Sequence, residues 1–429
     1  MAYYPHMFLI KQTLLADTVA DPEGLACAEL TRVLPPLKRG APVAVTAGSR
    51  GIAAIVPILR GVCSALRHAG ARPFLVPAMG SHGGATASGQ EALLAALGIT
   101  EESVGAPVRA TMETVFLGET AEGTAVYMDR YAAEAAGIVV VARVKHHTDF
   151  TGQWESGLAK MLAIGLGKET GARYLHSFGV AGLRRLIPAT AAAIIAQGRV
   201  LAGIAILENA VGGVWQIAGM KAHEILPKEA DLLALEKTSA PRLPFSEADV
   251  LLVDYIGKDI SGTGMDTRVI GRMRIPGEPE PERPRIGLVA ALDLSETSHG
   301  NANGVGLADV ITERLSCKID HLALRANAAA CGFWERAKVP VAFPTDQEAI
   351  EACLASCGRP TGEVRLCRIR DTMHLEYIAV SEALLPSLEG SCAVVGRYEL
   401  LFDELGNLSD HHHFGTQLMF SASNSSTGG

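Results

Sequence analysis

Short apolar segments that alternate with helical patterns constrain the fold of this chain more than any other feature. Residues 43–46, 72–77 and 137–144 are largely apolar, and each segment runs into a polar turn. Helical patterns follow over residues 52–68 and 156–168. Strands that alternate with helices in this way form a mostly parallel sheet with helices on both faces. The sequence therefore predicts an α/β fold.

A second series of the same kind predicts a second α/β domain. It begins with expected strands at residues 249–256 and 285–294, followed by an expected helix at residues 307–315. Between the two series, residues 237–245 hold two prolines in a short stretch, which is typical of a domain boundary.

These boundaries define the expected domain organisation. We predict an N-terminal cofactor-binding α/β domain over residues 1–243 and a C-terminal α/β domain over residues 244–420, with the active-site cleft between them. Residues 421–429 are rich in serine and glycine, and we expect them to form a disordered tail.

The overall composition excludes several classes of protein. The chain has 429 residues, 48% of them hydrophobic, which excludes a disordered protein, and its net charge of −8 argues against a nucleic-acid surface. Its eight cysteines are scattered, as expected of reduced core thiols. The first residues lack a secretory signal pattern, and the apolar run at residues 186–196 is too short to span a membrane. We therefore expect a cytoplasmic protein without nucleic-acid or membrane partners.

Polar side chains follow three of the predicted strands. Arg50 lies in T-A-G-S-R-G, His82 lies in G-S-H-G-G, and the pair His146 and His147 opens K-H-H-T-D-F-T-G. Ligands of open α/β sheets gather at the carboxyl ends of the strands, where a guanidinium suits a carboxylate. Each residue alone could equally be a solvated loop residue. Neighbours on an extended segment point to opposite sides, so we expect His147 to face the site and His146 to be structural.

Lys160 is the strongest candidate for a reactive group. It lies early in the helix expected at residues 156–168, whose apolar residues would partly desolvate the amine and lower its pKa. The start of this helix, at Ser156 and Gly157, could present free N–H groups to an anion. A lysine that snorkels at a helix edge is the alternative interpretation.

Further candidates are His176 and Lys258. With His82 and His147, His176 offers a third imidazole for a metal or for acid–base work, although the spacing of the three alone is weak evidence for a metal site. Lys258 follows the first strand of the second domain and could reach a cleft from that side, or it could be a loop lysine. We assign no role to the run of histidines at residues 411–413.

Together, the motifs resemble those of the lactate racemase family, whose members use a nickel-pincer nucleotide cofactor. The resemblance covers most of the chain. It rests on T-A-G-S-R-G, G-S-H-G-G, K-H-H-T-D-F-T-G, S-G-L-A-K and the downstream His176, and the spacing from Lys160 to His176 is its most specific part.

The resemblance implies a role for each matching residue. Lys160 corresponds to the lysine that holds the cofactor covalently, and His176 to the histidine that completes the nickel coordination. His82 and His147 correspond to the acid and base on either face of the substrate. Arg50 and Lys258 correspond to residues that hold the substrate.

The implied activity is that of an isomerase, a racemase or epimerase that inverts C2 of a 2-hydroxy acid. Hydride would pass reversibly to the cofactor by way of a 2-keto acid, because no side chain accepts hydride. Two bases on opposite faces are what inversion requires. The implied partners are a small 2-hydroxy acid and, transiently, the enzymes that make the cofactor. The oligomeric state stays open.

The chain also departs from the pattern of the lactate enzyme. The segment between His147 and Lys160 is longer and contains Trp154 and Glu155, and Ala47 stands where the lactate enzyme has an acidic residue. Lactate is therefore not the favoured substrate. Three alternatives stay open: a Schiff-base enzyme that uses Lys160, such as an aldolase or a pyridoxal phosphate enzyme, a non-catalytic protein that binds a small molecule or metal, and a zinc hydrolase.

Overall fold

The computed structural model of the protein describes residues 4–416, which form two compact units. One unit is Leu15–Ala240, and the other joins the residues up to Leu14 to those from Pro241 onwards. The change of unit after Ala240 falls in the proline-containing stretch, but the start of the chain belongs to the unit of the C-terminal half rather than to residues 1–243. The predicted tail at residues 421–429 lies outside the described residues.

The first strand of the chain, β1 (Met7–Gln12), pairs with strands of the C-terminal half and belongs to that unit. The elements of Leu15–Ala240 are, in chain order, α1 (Pro22–Val33), β2 (Pro42–Ala47), α2 (Ile55–His68), β3 (Arg72–Pro77), α3 (Ala87–Ala96), α4 (Glu101–Val104), β4 (Thr114–Glu119), β5 (Ala125–Asp129), α5 (Arg130–Glu134), β6 (Gly137–Arg143), α6 (Leu158–Lys160), α7 (Lys168–His176), α8 (Gly179–Ala196), β7 (Val200–Glu208), β8 (Val214–Lys221) and α9 (Ile225–Ser239).

A five-stranded sheet organises this unit, in the order β3-β2-β6-β7-β8. The first four strands are parallel and β8 is antiparallel to β7. Strand β6 is apolar and almost entirely buried, as strands covered on both faces are. The carboxyl ends of β3, β2 and β6 therefore lie side by side, and the α/β fold predicted for this half is confirmed.

The second unit is built on an eight-stranded mixed sheet in the order β12-β11-β10-β9-β13-β14-β1-β15. The five strands from β12 to β13 in this order are parallel to one another. Strand β14 is antiparallel to β13, β1 is antiparallel to β14, and β15 is antiparallel to β1. Its remaining elements are β9 (Glu247–Ile256), α10 (Thr267–Ile270), β10 (Arg285–Leu294), β11 (Val310–Thr312), α11 (Glu313–Cys317), α12 (His321–Cys331), β12 (Val341–Phe343), α13 (Asp346–Ser356), β13 (Leu366–Ile369), β14 (Tyr377–Ser381) and β15 (Cys392–Tyr398).

The helix predicted at residues 307–315 is wrong. Val310 and Ile311 pair instead with β10 as the short strand β11, and helix α11 begins only after Thr312, whose side chain accepts the N–H of Leu315. The three residues of β11 gain hydrogen bonds by pairing with the buried strand β10. The apolar pattern of the sequence does not show this pairing.

The helix predicted at residues 156–168 is not continuous. Leu158–Lys160 is α-helical, Met161–Gly165 forms a π-helix, and α7 starts at Lys168, which has a left-handed φ of 52°. Gly165 packs so closely on the Ala78 carbonyl that an added Cβ would lie 2.7 Å from the oxygen. Single π-turns inside helices are frequent at functional sites, and this one follows Lys160 directly.

Helix α8, Gly179–Ala196, is the one helix in the described part of the chain long and apolar enough to cross a membrane by length and composition, with 44% of it buried inside the protein. It is longer than the apolar run at residues 186–196, because it starts earlier and includes Arg184 and Arg185. A buried core helix meets the same criteria, and α8 packs on α7 through one apolar face.

Candidate functional site

The carboxyl edge of the parallel strands brings the loops of three predicted site residues together. Arg50 follows β2, His82 follows β3 and His147 follows β6, and these strands are neighbours in the sheet. The loops of Arg50 and His82 are joined by a side-chain contact, because Ser49 Oγ lies 2.5 Å from His82 Nδ1. The edge of the sheet thus collects a guanidinium and two imidazoles.

His147 is fixed through its backbone and both ring nitrogens. Its N–H donates to Glu155 Oε2 at 2.6 Å, and its Nδ1 accepts the N–H of Asp149 at 3.0 Å. The ring stacks on Phe150 with centroids 4.6 Å apart. Its Nε2 lies 2.5 Å from Lys160 Nζ. The imidazole and the amine therefore form one hydrogen-bonded pair.

This pair defines the protonation states that the contact requires. Since His147 Nδ1 accepts a backbone N–H, a neutral ring carries its proton on Nε2 and donates it. Lys160 Nζ must then accept, which only the unprotonated amine can do. The geometry fits a neutral lysine next to a neutral histidine.

The surroundings of Lys160 bring that neutral form within reach, although an amine with a pKa of about 8 is still mostly protonated at pH 7. Burial lowers the pKa of Lys160 to about 8; the charge of Arg50 lowers it as well, whereas Asp149 and Glu155 raise it. A lysine amine with a pKa near working pH is a competent nucleophile, whereas an ordinary lysine, with a pKa near 10.4, is protonated.

His176 belongs to the same electrostatic cluster. It lies in the last turn of α7, after the π-helix that follows Lys160. Although His176 is exposed, partial desolvation of its ring lowers its pKa, the charge of Lys160 lowers it further, and Asp149 raises it. A lowered pKa keeps the imidazole neutral, which is the form that binds a metal.

Ser156 and Gly157 do not present free N–H groups to an external anion. The carboxylate of Glu229 occupies that position: its Oε2 accepts the N–H of Ala159 at 2.8 Å, and the N–H of Leu158 also donates to it. A Cβ at Gly157 would lie 2.3 Å from Glu229 Oε1, so this glycine allows the close approach of the carboxylate. Ser156 exchanges two backbone hydrogen bonds with Lys145, which close the loop between them.

The side chain of His146 lies in a different environment from that of His147. Its ring is buried, with Nδ1 2.9 Å from Glu236 Oε1, and its N–H donates to Glu236 Oε2 at 3.1 Å. Both hydrogen bonds hold the end of β6 against helix α9. This contact fits a structural role for His146.

Lys258 lies in the other unit, directly after β9. Its Nζ donates to the Gly262 carbonyl at 2.5 Å, and its N–H donates to Ser298 Oγ at 3.0 Å. In the same unit, His412 Nδ1 lies 2.9 Å from the Tyr255 hydroxyl. Both residues thus belong to the unit of the C-terminal half, whereas the Lys160 cluster belongs to Leu15–Ala240.

The sequence analysis did not predict the role of the carboxylates that support the cluster. Glu155 is almost fully buried and accepts the N–H groups of His147 and Gly152 and the amine of Lys237. Asp149 and Glu229 act on Lys160 through charge and helix capping respectively. The acidic residues at positions 149 and 155 were visible beside the motif, but Glu229 lies 70 residues away from Ala159 and had no local signal.

Lys168 holds the loop that carries His82 from beneath. Its buried Nζ donates to the Pro77 carbonyl at 2.5 Å and to Gln90 Oε1 at 2.9 Å, and lies 3.1 Å from Asp129 Oδ2. The Gln90 amide in turn donates to the carbonyls of Gly80 at 2.8 Å and His82 at 3.2 Å. One buried cation therefore anchors both ends of the loop.

Replacing Lys168 with methionine is expected to lower the free energy of unfolding by about 3 kcal/mol, because it leaves Asp129 buried without its counter-charge. Denaturant unfolding of Lys168→Met measures the loss. Adding Asp129→Asn to this variant should recover part of the loss, since a neutral amide needs no counter-charge. Equal stability of Lys168→Met and the parent protein would contradict the assigned role.

Comparison with known proteins places this site within a described family domain. A family model described as the lactate racemase N-terminal domain matches residues 45–183, a segment that contains Arg50, His82, His147, Lys160 and His176. No curated protein matches the chain significantly.

Two solved structures are similar at low identity. One is a crystal structure of a protein from Thermotoga maritima, with a TM-score of 0.46, 13% identity, and coverage of 65% of this chain and 72% of that one. The other is the lactate racemase apoprotein from Thermoanaerobacterium thermosaccharolyticum, with a TM-score of 0.41, 11% identity, and coverage of 67% and 74%. At these values neither structure supports an argument about this chain, and its similarity to the lactate racemase family rests on the matched segment.

Proposed function

Since residues 45–183 make this chain a divergent homologue of the lactate racemase family, we propose that it is a racemase or epimerase that inverts C2 of a 2-hydroxy acid. The observation that carries the proposal is the contact of 2.5 Å between His147 Nε2 and Lys160 Nζ inside that segment. It pairs a neutral amine able to hold a cofactor with an imidazole able to move a proton.

The residues present fit a nickel-pincer nucleotide. His176, whose lowered pKa favours the neutral imidazole, suits a single protein ligand for a metal that arrives with its own ligands. Lys160, with its pKa of about 8, suits the covalent link. When bound, the cofactor supplies the hydride acceptor that side chains lack.

The proton chemistry belongs to the histidines. His147 or His82 would take the proton of the substrate hydroxyl from one face, and the other would return a proton to the same oxygen from the opposite face. The inversion of C2 itself would come from the hydride chemistry that the cofactor supplies. To take a proton at Nε2, His147 needs the tautomer with its proton on Nδ1, where Asp149 Oδ2 lies 3.8 Å away, and stacking on Phe150 fixes the plane of the ring. His82 Nδ1 is oriented by Ser49 in the corresponding way.

Arg50 is proposed to bind the substrate carboxylate, and the same task for Lys258 stays a prediction. A guanidinium is suited to this task by its two parallel donors. Trp154 and Glu155 are occupied in the structure, because Trp154 Nε1 donates to the Leu226 carbonyl and Glu155 binds Lys237. They support the loop, so the choice among 2-hydroxy acids falls to other residues.

Protein produced together with the cofactor-synthesis enzymes is expected to contain nickel and to carry a covalent mass adduct on Lys160. Intact mass, peptide mapping and metal analysis measure this outcome, with Lys160→Arg as the matched control that keeps the charge and lacks the reactive amine. A panel of enantiopure 2-hydroxy acids then identifies the substrate. An unmodified Lys160 under these conditions would rule out the proposed function.

The lowered pKa of Lys160 also favours a second candidate, a Schiff-base enzyme. Borohydride reduction in the presence of a carbonyl substrate or pyridoxal phosphate would trap an adduct on Lys160 in such an enzyme. Turnover that depends on the trapped carbonyl compound and not on nickel would favour it over the racemase.

A further inference from the structure

Helix α9 contacts the segment 145–160, which carries His147 and Lys160, along most of its length. The helix, Ile225–Ser239, lies outside the segment matched by the lactate racemase model. Its first turn accepts the Trp154 indole N–H at the Leu226 carbonyl, at 2.8 Å. Three charged side chains further along the helix, those of Glu229, Glu236 and Lys237, make the other contacts.

Glu229 fixes the start of the helix that carries Lys160. Its side chain is buried, and its Oε2 accepts the N–H of Ala159, the residue before Lys160. Gly157 leaves room for this carboxylate. Burial raises the pKa of Glu229 to about 7 while the N–H groups of Ala159 and Leu158 lower it, so Glu229 serves this helix start chiefly as a hydrogen-bond acceptor.

Glu236 and Lys237 fix the loop that carries His147. Glu236 accepts the N–H of His146 at 3.1 Å, which sets the chain direction one residue before His147. Lys237 Nζ donates to Glu155 Oε1 at 2.5 Å and to the Gly152 carbonyl at 3.1 Å. The other carboxylate oxygen of Glu155 accepts the N–H of His147, so Lys237 is connected to His147 through Glu155.

The spacing along α9 explains how one helix serves both groups. Glu229 and Glu236 are seven residues, or about two turns and 10 Å, apart and so lie on one face. Glu229 thus holds the segment of Lys160 and Glu236 the segment of His147, and the contact of 2.5 Å lies between the two segments.

We propose that α9 is the positioning element of this site, with Glu229 as the positioning residue for Lys160 and the Lys237–Glu155 pair as the positioning residues for His147. The catalytic meaning of this arrangement rests on the proposed function, whereas the arrangement itself does not. It can therefore be tested on the protein without cofactor or substrate.

The test for Glu229 measures the reactivity of Lys160 in the full chain. Competitive acetylation across a pH series, read by mass spectrometry, gives the apparent pKa of Lys160, expected near 8 in the parent protein. In Glu229→Ala the helix start is released, and this pKa should rise towards the ordinary ~10.4 as the amine reaches water. Glu229→Gln keeps one acceptor and should restore part of the shift.

The matched control is Lys228→Met, on the same helix, which removes only an exposed ion pair with Glu224 and should leave the pKa of Lys160 unchanged. Glu229→Ala and Glu229→Gln proteins that are folded by circular dichroism and keep the parent pKa would overturn the assignment for Glu229. If Glu229→Ala does not fold, Glu229→Gln decides alone, because a purely structural cap would leave the pKa at the parent value.

The test for the second anchor measures the accessibility of His147. Lys237→Met removes the amine that holds Glu155 and Gly152, so the rate of carbethoxylation of His147 should rise about fivefold, as expected when the loop opens more easily by about 1 kcal/mol. An unchanged rate would overturn this part. A negative result in either test leaves the adduct on Lys160 as an independent measure of the proposed function.

Discussion

Replacing Lys160 with methionine is expected to abolish racemisation and, at the same time, to stabilise the fold at neutral pH. The activity is lost because methionine offers no amine for the covalent link. The gain in stability follows from the pKa of Lys160, which burial lowers to about 8 in the folded protein. Keeping this amine charged destabilises the folded state, and methionine fills a similar volume without that cost.

The sign of the pH dependence follows from linkage. The unfolded chain, with a lysine pKa near 10.4, binds more protons than the folded protein between pH ~8 and ~10.4, so the parent protein gains stability as pH rises through that interval. The advantage of Lys160→Met should therefore be about 3 kcal/mol below pH 8 and should shrink towards zero near pH 10. Denaturant unfolding at pH 7 and at pH 10 measures both values.

Two outcomes would contradict this prediction. One is a Lys160→Met protein that still carries the adduct or turns over substrate. The other is a loss of stability at pH 7, which would mean that the lysine is a structural residue. The exposed substitution Lys228→Met serves as the reference, because its surface ion pair should change stability by less than about 1 kcal/mol.

The parts of the fold that sequence predicts well are those whose information is local. Residues 72–77 form β3 with the predicted bounds, and β2 and β6 differ from their predicted segments by about one residue at an end. Buried parallel strands are apolar runs whatever their neighbours, and a parallel sheet places their carboxyl ends together. For this reason the sequence alone is enough to assign Arg50, His82 and His147 to one edge of the sheet.

The supporting residues could not be predicted because their partners lie far away in sequence. Glu229 caps a helix 70 residues upstream, and Glu236 binds His146 from a distance of 90 residues. In the sequence α9 is an ordinary acidic helix pattern, and the start of the Lys160 helix looks free. Only the tertiary fold shows that a carboxylate of the protein itself occupies it.

The first strand illustrates the same limit at the level of domains. Met7–Gln12 pairs with β14 and β15, more than 360 residues later in the chain. A position between two strands of a distant sheet leaves no mark on the strand itself, so a domain boundary read from composition assigns the strand to the nearest elements.

Replacing His147 with asparagine is expected to reduce kcat/KM by about 10²–10⁴-fold, the usual contribution of a general acid or base. Asparagine is the sharpest choice, because its Oδ1 can still accept the Asp149 N–H that His147 Nδ1 accepts, while the Nε2 that faces Lys160 is removed. Since the two enantiomers of a 2-hydroxy acid are equal in energy, the loss must be the same in both directions. Initial rates from each enantiomer measure it.

A loss of cofactor must be separated from a loss of proton transfer, since His147 also contacts the amine of Lys160. Rates are therefore expressed per Lys160 adduct, counted by mass spectrometry, and His68→Asn, at an exposed helix end, is the control for handling. With the adduct count held equal, proton transfer by His147 requires that the rate fall and that His82→Asn show a loss of similar size. A fully active His147→Asn protein would mean that a group other than this imidazole moves the proton on that face, and the two-base assignment would then fail.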